Sequence, residues 1–251
     1  MQDEAGSLTG KTVLITGGAR RVGAAVGRRL HAAGANLVVH YRNSAQDAES
    51  LIAGLNAARA GSAAIFQGDL LDIDRFPRLV EFAVRTFGGL DVLVNNASTF
   101  YETPVGEITP RAWDDLMGTN VKVPLFLSQA AAPALRAAKG LILNIVDIHA
   151  LRPLRRYTVY CAAKAGLHMV TRSLARELGP EIRVNGISPG PVLWPEQGGD
   201  ESKRAKIVER TVLKRMGTPE DIARTALFFA ASAPFITGQV LAVDGGRSVA
   251  W

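Results

Sequence analysis

At 251 residues, with 47% hydrophobic and 21% charged side chains, the chain is long enough for one sizeable core and too apolar for a disordered segment. No apolar run nears the ~20 residues that span a bilayer, and one cysteine (Cys161) with four scattered histidines excludes an internal disulfide and shows no metal-ligand spacing. The net charge of +6 suits a soluble surface or a field that gathers anions, and with no basic helix or aromatic-studded basic strip it predicts no nucleic-acid partner.

The opening stretch, Met1–Gly10, is polar, carries no basic-then-apolar leader, and predicts a loose end on a cytoplasmic protein. Short β-rich runs then predict strands at Thr12–Thr16, Asn36–Tyr41, Ala63–Gln67, Asp91–Asn95, Leu141–Val146, Arg183–Ser188 and Val240–Val243. Between them lie apolar stripes at helical spacing, such as Val22, Ala25, Val26 and Leu30, or Phe76, Leu79, Val80, Ala83, Val84 and Phe87. Strand–helix alternation, with strands apolar on both sides, predicts a doubly wound α/β fold: about seven parallel strands with helices on both faces. No repeat or linker divides it, so residues 1–251 read as a single domain. The Pro- and Gly-rich stretch Pro189–Ser202 is long for a silent loop and predicts a substrate lid, in which Trp194 caps the substrate or packs the lid.

The first strand runs directly into Thr16-Gly17-Gly18-Ala19-Arg20-Arg21-Val22-Gly23 and a helix. Glycines there allow a tight turn and a close backbone approach to a pyrophosphate, which rests at the positive end of the helix. The context, after a strand and before a helix, makes this a dinucleotide site with Gly17, Arg20, Arg21, Val22 and Gly23 as contacts. The second strand ends His40-Tyr41-Arg42-Asn43-Ser44, without the carboxylate that would select a free ribose hydroxyl. Arg42, helped by Arg20 and Ser44, matches a 2′-phosphate, and the expected cofactor is NADPH. Asp69, followed by Leu70, is placed to meet the adenine.

Tyr160-Cys161-Ala162-Ala163-Lys164 lies in a helical stretch, so Tyr160 and Lys164 share a face one turn apart. A lysine cation nearby, with the positive nicotinamide of the oxidised cofactor, is expected to lower the phenol's pKa from about 10. With the glycine turn, Asp69, Asn95-Asn96-Ala97, Asn120, Pro189-Gly190, Ile236-Thr237-Gly238 and Asp244-Gly245-Gly246, this pair comes in the order and spacing of the short-chain dehydrogenase/reductase family, which the chain resembles over nearly its whole length. The resemblance implies that Tyr160 donates a proton, that Lys164 holds the nicotinamide ribose and tunes Tyr160, and that Asn120 anchors a relay water. It further implies that Asn96, Ala97, Ser98, Pro189 and Gly190 line the cofactor, and that the protein is a homotetramer whose 244–251 tail closes a neighbour's site.

Two positions depart from the common family pattern. Arg21 replaces the middle glycine of the turn, and Asp147 stands where a catalytic serine is expected. An ionised carboxylate cannot donate to a developing oxyanion and would repel it. A semi-buried carboxyl of raised pKa beside Tyr160 instead suits delivery of a proton to nitrogen after hydride reaches carbon of a C=N bond. Both departures occur in the pteridine reductases, which the chain resembles further in Ser98-x-Phe100-Tyr101, Val146-Asp147 and Pro153-Leu154. The resemblance implies a dihydropterin or dihydrofolate substrate, stacked by Phe100 and held by Ser98, Arg21, Asp147, Tyr160 and Trp194. Ser98 and Arg21 serve equally as cofactor contacts. Arg152, Arg155 and Arg156 are either a basic rim for a folate tail or a solvated loop. The competing expectations are a carbonyl reductase, such as a 3-oxoacyl-carrier-protein reductase, and a cofactor-binding regulator without turnover.

Overall fold

A computed structural model describes residues 8–192 and 201–249. Its strands β1 (Thr12–Ile15), β2 (Asn36–Tyr41), β3 (Ala63–Gln67), β4 (Val92–Asn95), β5 (Leu141–Ile145), β6 (Arg183–Pro189) and β7 (Val240–Val243) form one sheet in the order β3-β2-β1-β4-β5-β6-β7. Every neighbouring pair is parallel, and each strand lies within a residue of its predicted bounds. The helices are α1 (Arg21–Ala32), α2 (Ala45–Ala58), α3 (Phe76–Phe87), α4 (Pro110–Met117), α5 (Val123–Ala138), α6 (Thr158–Leu178), α7 (Glu201–Glu209) and α8 (Pro219–Ala231).

Alternation along the strands divides the core. Val13 and Ile15 of β1, Leu37 and Val39 of β2, and Val92 and Val94 of β4 pack with Val26 and Leu30 of α1, Leu51 of α2 and Leu227 of α8. Leu14, Val38, Leu93, Ile142 and Val184 face the other way, against Leu79 of α3, Leu127 of α5 and Leu174 of α6. Each such side chain, removed from water, contributes roughly 1.5–3 kcal/mol before chain entropy is charged against it. The result is a Rossmann-like α/β domain with helices on both sides.

The chain turns outward from β1 in two directions, to β2 on one side and β4 on the other. A crevice forms outside the carboxyl ends of the strands at such a reversal, and that places the site. Behind the crevice, buried amides tie β4 to β5: Asn95 Nδ2 donates to Asn144 Oδ1 at 2.8 Å, and Asn144 Nδ2 donates to Thr171 Oγ1 of α6 at 2.9 Å.

Two expected loops are shorter than their sequence bounds. Leu8 is buried and its N–H donates to the Ala33 carbonyl at 2.8 Å, so the opening stretch is already pinned there. Pro189 completes β6, and Glu201 and Ser202 open α7. Residues 193–200, Trp194 among them, lie outside the described residues. No described helix is long and apolar enough to cross a membrane.

Candidate active site

The glycine turn between β1 and α1 is stitched to its neighbours by neutral groups. Thr16 Oγ1 accepts from the N–H of Asn96 (3.0 Å) and of Ala97 (3.1 Å), and Asn96 Nδ2 donates to the carbonyls of Thr16 and Gly17 (2.9 and 3.0 Å). That closeness explains two glycines. A Cβ on Gly23 would stand 2.6 Å from Asn96 Nδ2, and Gly17, in the left-handed region at φ +58°, would bring one to 3.0 Å from Ala97 Cα. His40 joins the turn to β3: its Nε2–H donates to the Gly68 carbonyl at 3.0 Å, while Nδ1 accepts from Gly17 N–H at 3.3 Å. Burial lowers the His40 pKa to about 4, so the ring is a neutral tie.

Arg21 adopts φ +52°, the left-handed region that a side chain enters at a cost of about 1–2 kcal/mol. The middle glycine of the common turn would adopt it freely, so an arginine here accepts strain to put a guanidinium into the cleft. The amino end of α1 has no side-chain cap and no acidic residue in its first turn. Its N–H groups suit an anionic ligand.

At the outer rim the carboxylates missing from the end of β2 arrive from elsewhere. Arg42 Nη1 lies 3.9 Å from Asp69 Oδ2, and Arg20 Nε lies 3.6 Å from Asp47 Oδ2. Asp69 Oδ1 also accepts from Leu71 N–H at 3.0 Å. These arginine pairs are half exposed and contribute little, so they yield readily to a doubly charged phosphate.

The reacting end is built from ionisable groups. Asp147 follows β5, and its carboxylate accepts from His149 N–H (2.8 Å) and from the Tyr160 hydroxyl (2.7 Å). Lys164, fully enclosed one turn along α6, donates to the Ile145 carbonyl at 2.9 Å, and burial lowers its pKa to about 8. In the protein by itself Lys164 does not lower the Tyr160 pKa. Burial, followed by the Asp147 charge and the hydrogen bond to it, raises it. The lysine hydrogen bond shown goes to a carbonyl, and Nζ stands 5.7 Å from the Tyr160 ring centre. The phenol is held in its protonated form.

Asn120 stands one layer behind the cleft surface. It is fully buried in a π-helical turn (Gly118–Lys122) and is not among the residues lining the cleft. Its Nδ2 donates to the Leu116 and Thr99 carbonyls (2.9 and 3.1 Å), and its Oδ1 accepts from Ser98 Oγ at 2.6 Å. In this arrangement it positions Ser98 and Thr99. Phe100 is 53% exposed, stacks on Tyr157 (centroids 4.5 Å apart, 15° between planes) and meets Tyr160 edge-on at 4.7 Å. Cys161 turns to the Leu154 N–H (3.3 Å), away from the reacting pair.

A cleft of about 780 Å³, large enough for a dinucleotide and a small ring system, brings most of the expected residues together. Gly17, Arg20, Arg21, Val22, Gly23, His40, Tyr41, Arg42, Asn43, Ser44, Asp69 and Leu70 line one end. Asn96, Ala97, Ser98, Phe100, Asp147, Tyr160, Lys164, Pro189 and Gly190 line the remainder. The residues of the turn, the amino end of α1 and the cleft therefore fit a dinucleotide. Sequence reasoning missed Thr16 as the brace of the turn, and Thr99, His149 and Arg247 as lining groups. The Asp244-Gly245-Gly246 turn was the available signal for Arg247, but not its direction. Arg152 and Arg155 do not line the cleft, and Arg156 pairs with Glu102 at 2.6 Å.

Residues 17–248 match the family described as Enoyl-(Acyl carrier protein) reductase. The chain is 35% identical to Pteridine reductase 1 of Leishmania tarentolae, over 97% of this chain and 98% of that one. It is 33% identical to 3beta-hydroxysteroid dehydrogenase 1 of Eggerthella lenta, over 96% and 95% of the two chains. It is 34% identical to the 3-oxoacyl-(acyl-carrier-protein) reductase of Staphylococcus aureus, over 94% and 97%. With this site on this sheet, the chain belongs to the short-chain dehydrogenase/reductase family of nicotinamide-dependent oxidoreductases.

Proposed function

We propose that the protein is an NADPH-dependent pteridine reductase that saturates a C=N bond of a dihydropterin. The observation that carries this reading is the 2.7 Å hydrogen bond from the Tyr160 hydroxyl to Asp147 Oδ2, where a serine hydroxyl would serve a ketone reductase. When bound, the nicotinamide cofactor supplies a hydride to the substrate carbon. Tyr160, kept protonated by burial and by Asp147, delivers the proton that the adjoining nitrogen requires. Reduction of a ketone would instead call for a hydroxyl donor to the developing oxyanion where Asp147 stands, and a carboxylate cannot supply one. Lys164 places a cation behind the pair and orients the ribose side of the cleft. Phe100, half exposed and edge-on to Tyr160, offers an aromatic surface to a flat heterocycle. Arg21 lines the same cleft from the turn.

Preference for the phosphorylated cofactor rests on Arg42, Arg20 and Ser44 at the outer rim. A carbonyl reductase is the second reading, favoured by the relatives that act, by their names, on hydroxysteroids and 3-oxoacyl groups. An NADPH-oxidation assay with dihydrobiopterin, dihydrofolate and an acetoacetyl thioester, repeated with NADH, separates the two. Turnover of a pterin with NADPH supports the proposal. Turnover of the thioester alone overturns it.

A further inference from the structure

The turn after β7, Asp244–Ser248, has no part in the proton chemistry, yet Arg247 from it lines the cleft, as do Val192 and Ile207. Asp244 holds this turn: Oδ1 accepts from Gly246 N–H (2.9 Å), Oδ2 from Ser248 N–H (2.7 Å), and its carbonyl from Arg247 N–H (3.1 Å). Gly245 and Gly246 take left-handed φ of +63° and +79°, and a Cβ on Gly246 would stand 2.7 Å from Val212 Cβ. On the β6 side a Cβ on Gly190 would meet Asp244 Cα at 2.6 Å. The turn is thus wedged against Gly190 and residues 211–213, and it presents Arg247 in one direction. Among the described residues the Arg247 guanidinium makes no hydrogen bond or ion pair, although it is partly enclosed, and both oxygens of nearby Asp244 are occupied by backbone.

The sheet order gives this cation its place. Arg42 and Asp69 follow β2 and β3 at one edge, Asp147 follows β5, and Arg247 follows β7 at the opposite edge. A ring reacting at Asp147 and Tyr160 has the dinucleotide on one side and Arg247 on the other. We propose that Arg247 is a substrate-binding residue that receives a carboxylate on the tail of the reacting ring, and hence that the cleft takes a pterin bearing an acidic tail in preference to an uncharged one. This inference rests on the pterin reading above. A guanidinium forms paired, charge-assisted hydrogen bonds with a carboxylate, so the side chain type fits that ligand.

The test compares dihydrofolate, which carries a glutamate tail, with dihydrobiopterin, which does not, in the wild type, Arg247→Gln and Arg247→Lys. For Arg247→Gln the ratio of kcat/KM for dihydrofolate over dihydrobiopterin falls about tenfold, the worth of one hydrogen bond to a charged group. The loss falls on KM, and Arg247→Lys restores part of it. Calorimetric titration of dihydrofolate into the NADP⁺-loaded protein reads the same contact without turnover, as a comparable rise in Kd for Arg247→Gln. An unchanged ratio with unchanged dihydrofolate Kd overturns the inference. So does weakened NADPH binding, which would assign Arg247 to a cofactor phosphate. A wild type that binds dihydrofolate but reduces no pterin removes the functional proposal and leaves the Kd comparison to judge Arg247; one that neither binds nor reduces it removes both.

Discussion

The two ends of the cleft are held by opposite kinds of bond. At the glycine turn, Thr16, Asn96 and a neutral His40 fasten backbone to backbone, and charge is confined to half-exposed arginines on the rim. At the reacting end, Asp147, Tyr160 and Lys164 are linked to one another or to buried carbonyls, and all three are ionisable. The binding end is therefore insensitive to pH near neutrality and can be retuned at its rim. The reacting end depends on where one proton resides.

The largest effect expected from this contrast is at Tyr160. Replacement by Phe removes the proton but keeps the ring that meets Phe100, and kcat falls roughly a thousandfold while the NADPH Kd is retained. Steady-state rates with fluorescence titration of NADPH check both halves; an active variant would erase the contrast. His40 comes next. The unfolded chain takes up a proton at His40 as pH falls below 6.5, whereas the folded protein resists until about 4. The unfolded state then binds more protons, so stability drops between pH 6.5 and 4, by up to about 3 kcal/mol. Urea unfolding at pH 7, 5.5 and 4.5 should show this limb, flattened in His40→Gln. The smallest effect is at the rim: Arg42→Asp raises the KM for NADPH about tenfold, because its pairing is half solvated, and narrows the preference over NADH. A KM left unchanged would move the 2′-phosphate elsewhere.

How much of this the chain disclosed in advance follows the same division. The strands were legible because buried parallel strands are apolar on both sides: LVV in β2, VLV in β4 and LIL in β5. Most of the cleft was legible because its residues follow strand ends in a regular order. What was not legible depends on directions that pattern does not carry. Asp69 reaches Arg42 from the next strand, so a missing carboxylate at the end of β2 did not mean a missing carboxylate at the rim. The sign of the Tyr160 shift turned on Asp147 and burial outweighing a lysine that donates to Ile145. Asn120 reads as a site residue, but the partners of its amide, Leu116 and Ser98, are set by a π-helical turn that no residue pattern announces. Arg247 follows a motif whose aim is set only when Gly190 packs on Asp244.

The proposed preference for C=N bonds turns on a carboxylate in place of a hydroxyl beside Tyr160. The most direct measurement is the ratio of dihydrobiopterin to acetoacetyl-thioester reduction, by NADPH oxidation, in the wild type and in Asp147→Ser. The wild type is expected to favour the pterin, and in the variant the ratio falls about a hundredfold, near the upper worth of one hydrogen bond to a charged group. A wild type that favours the thioester, or a ratio that the substitution leaves in place, would contradict it.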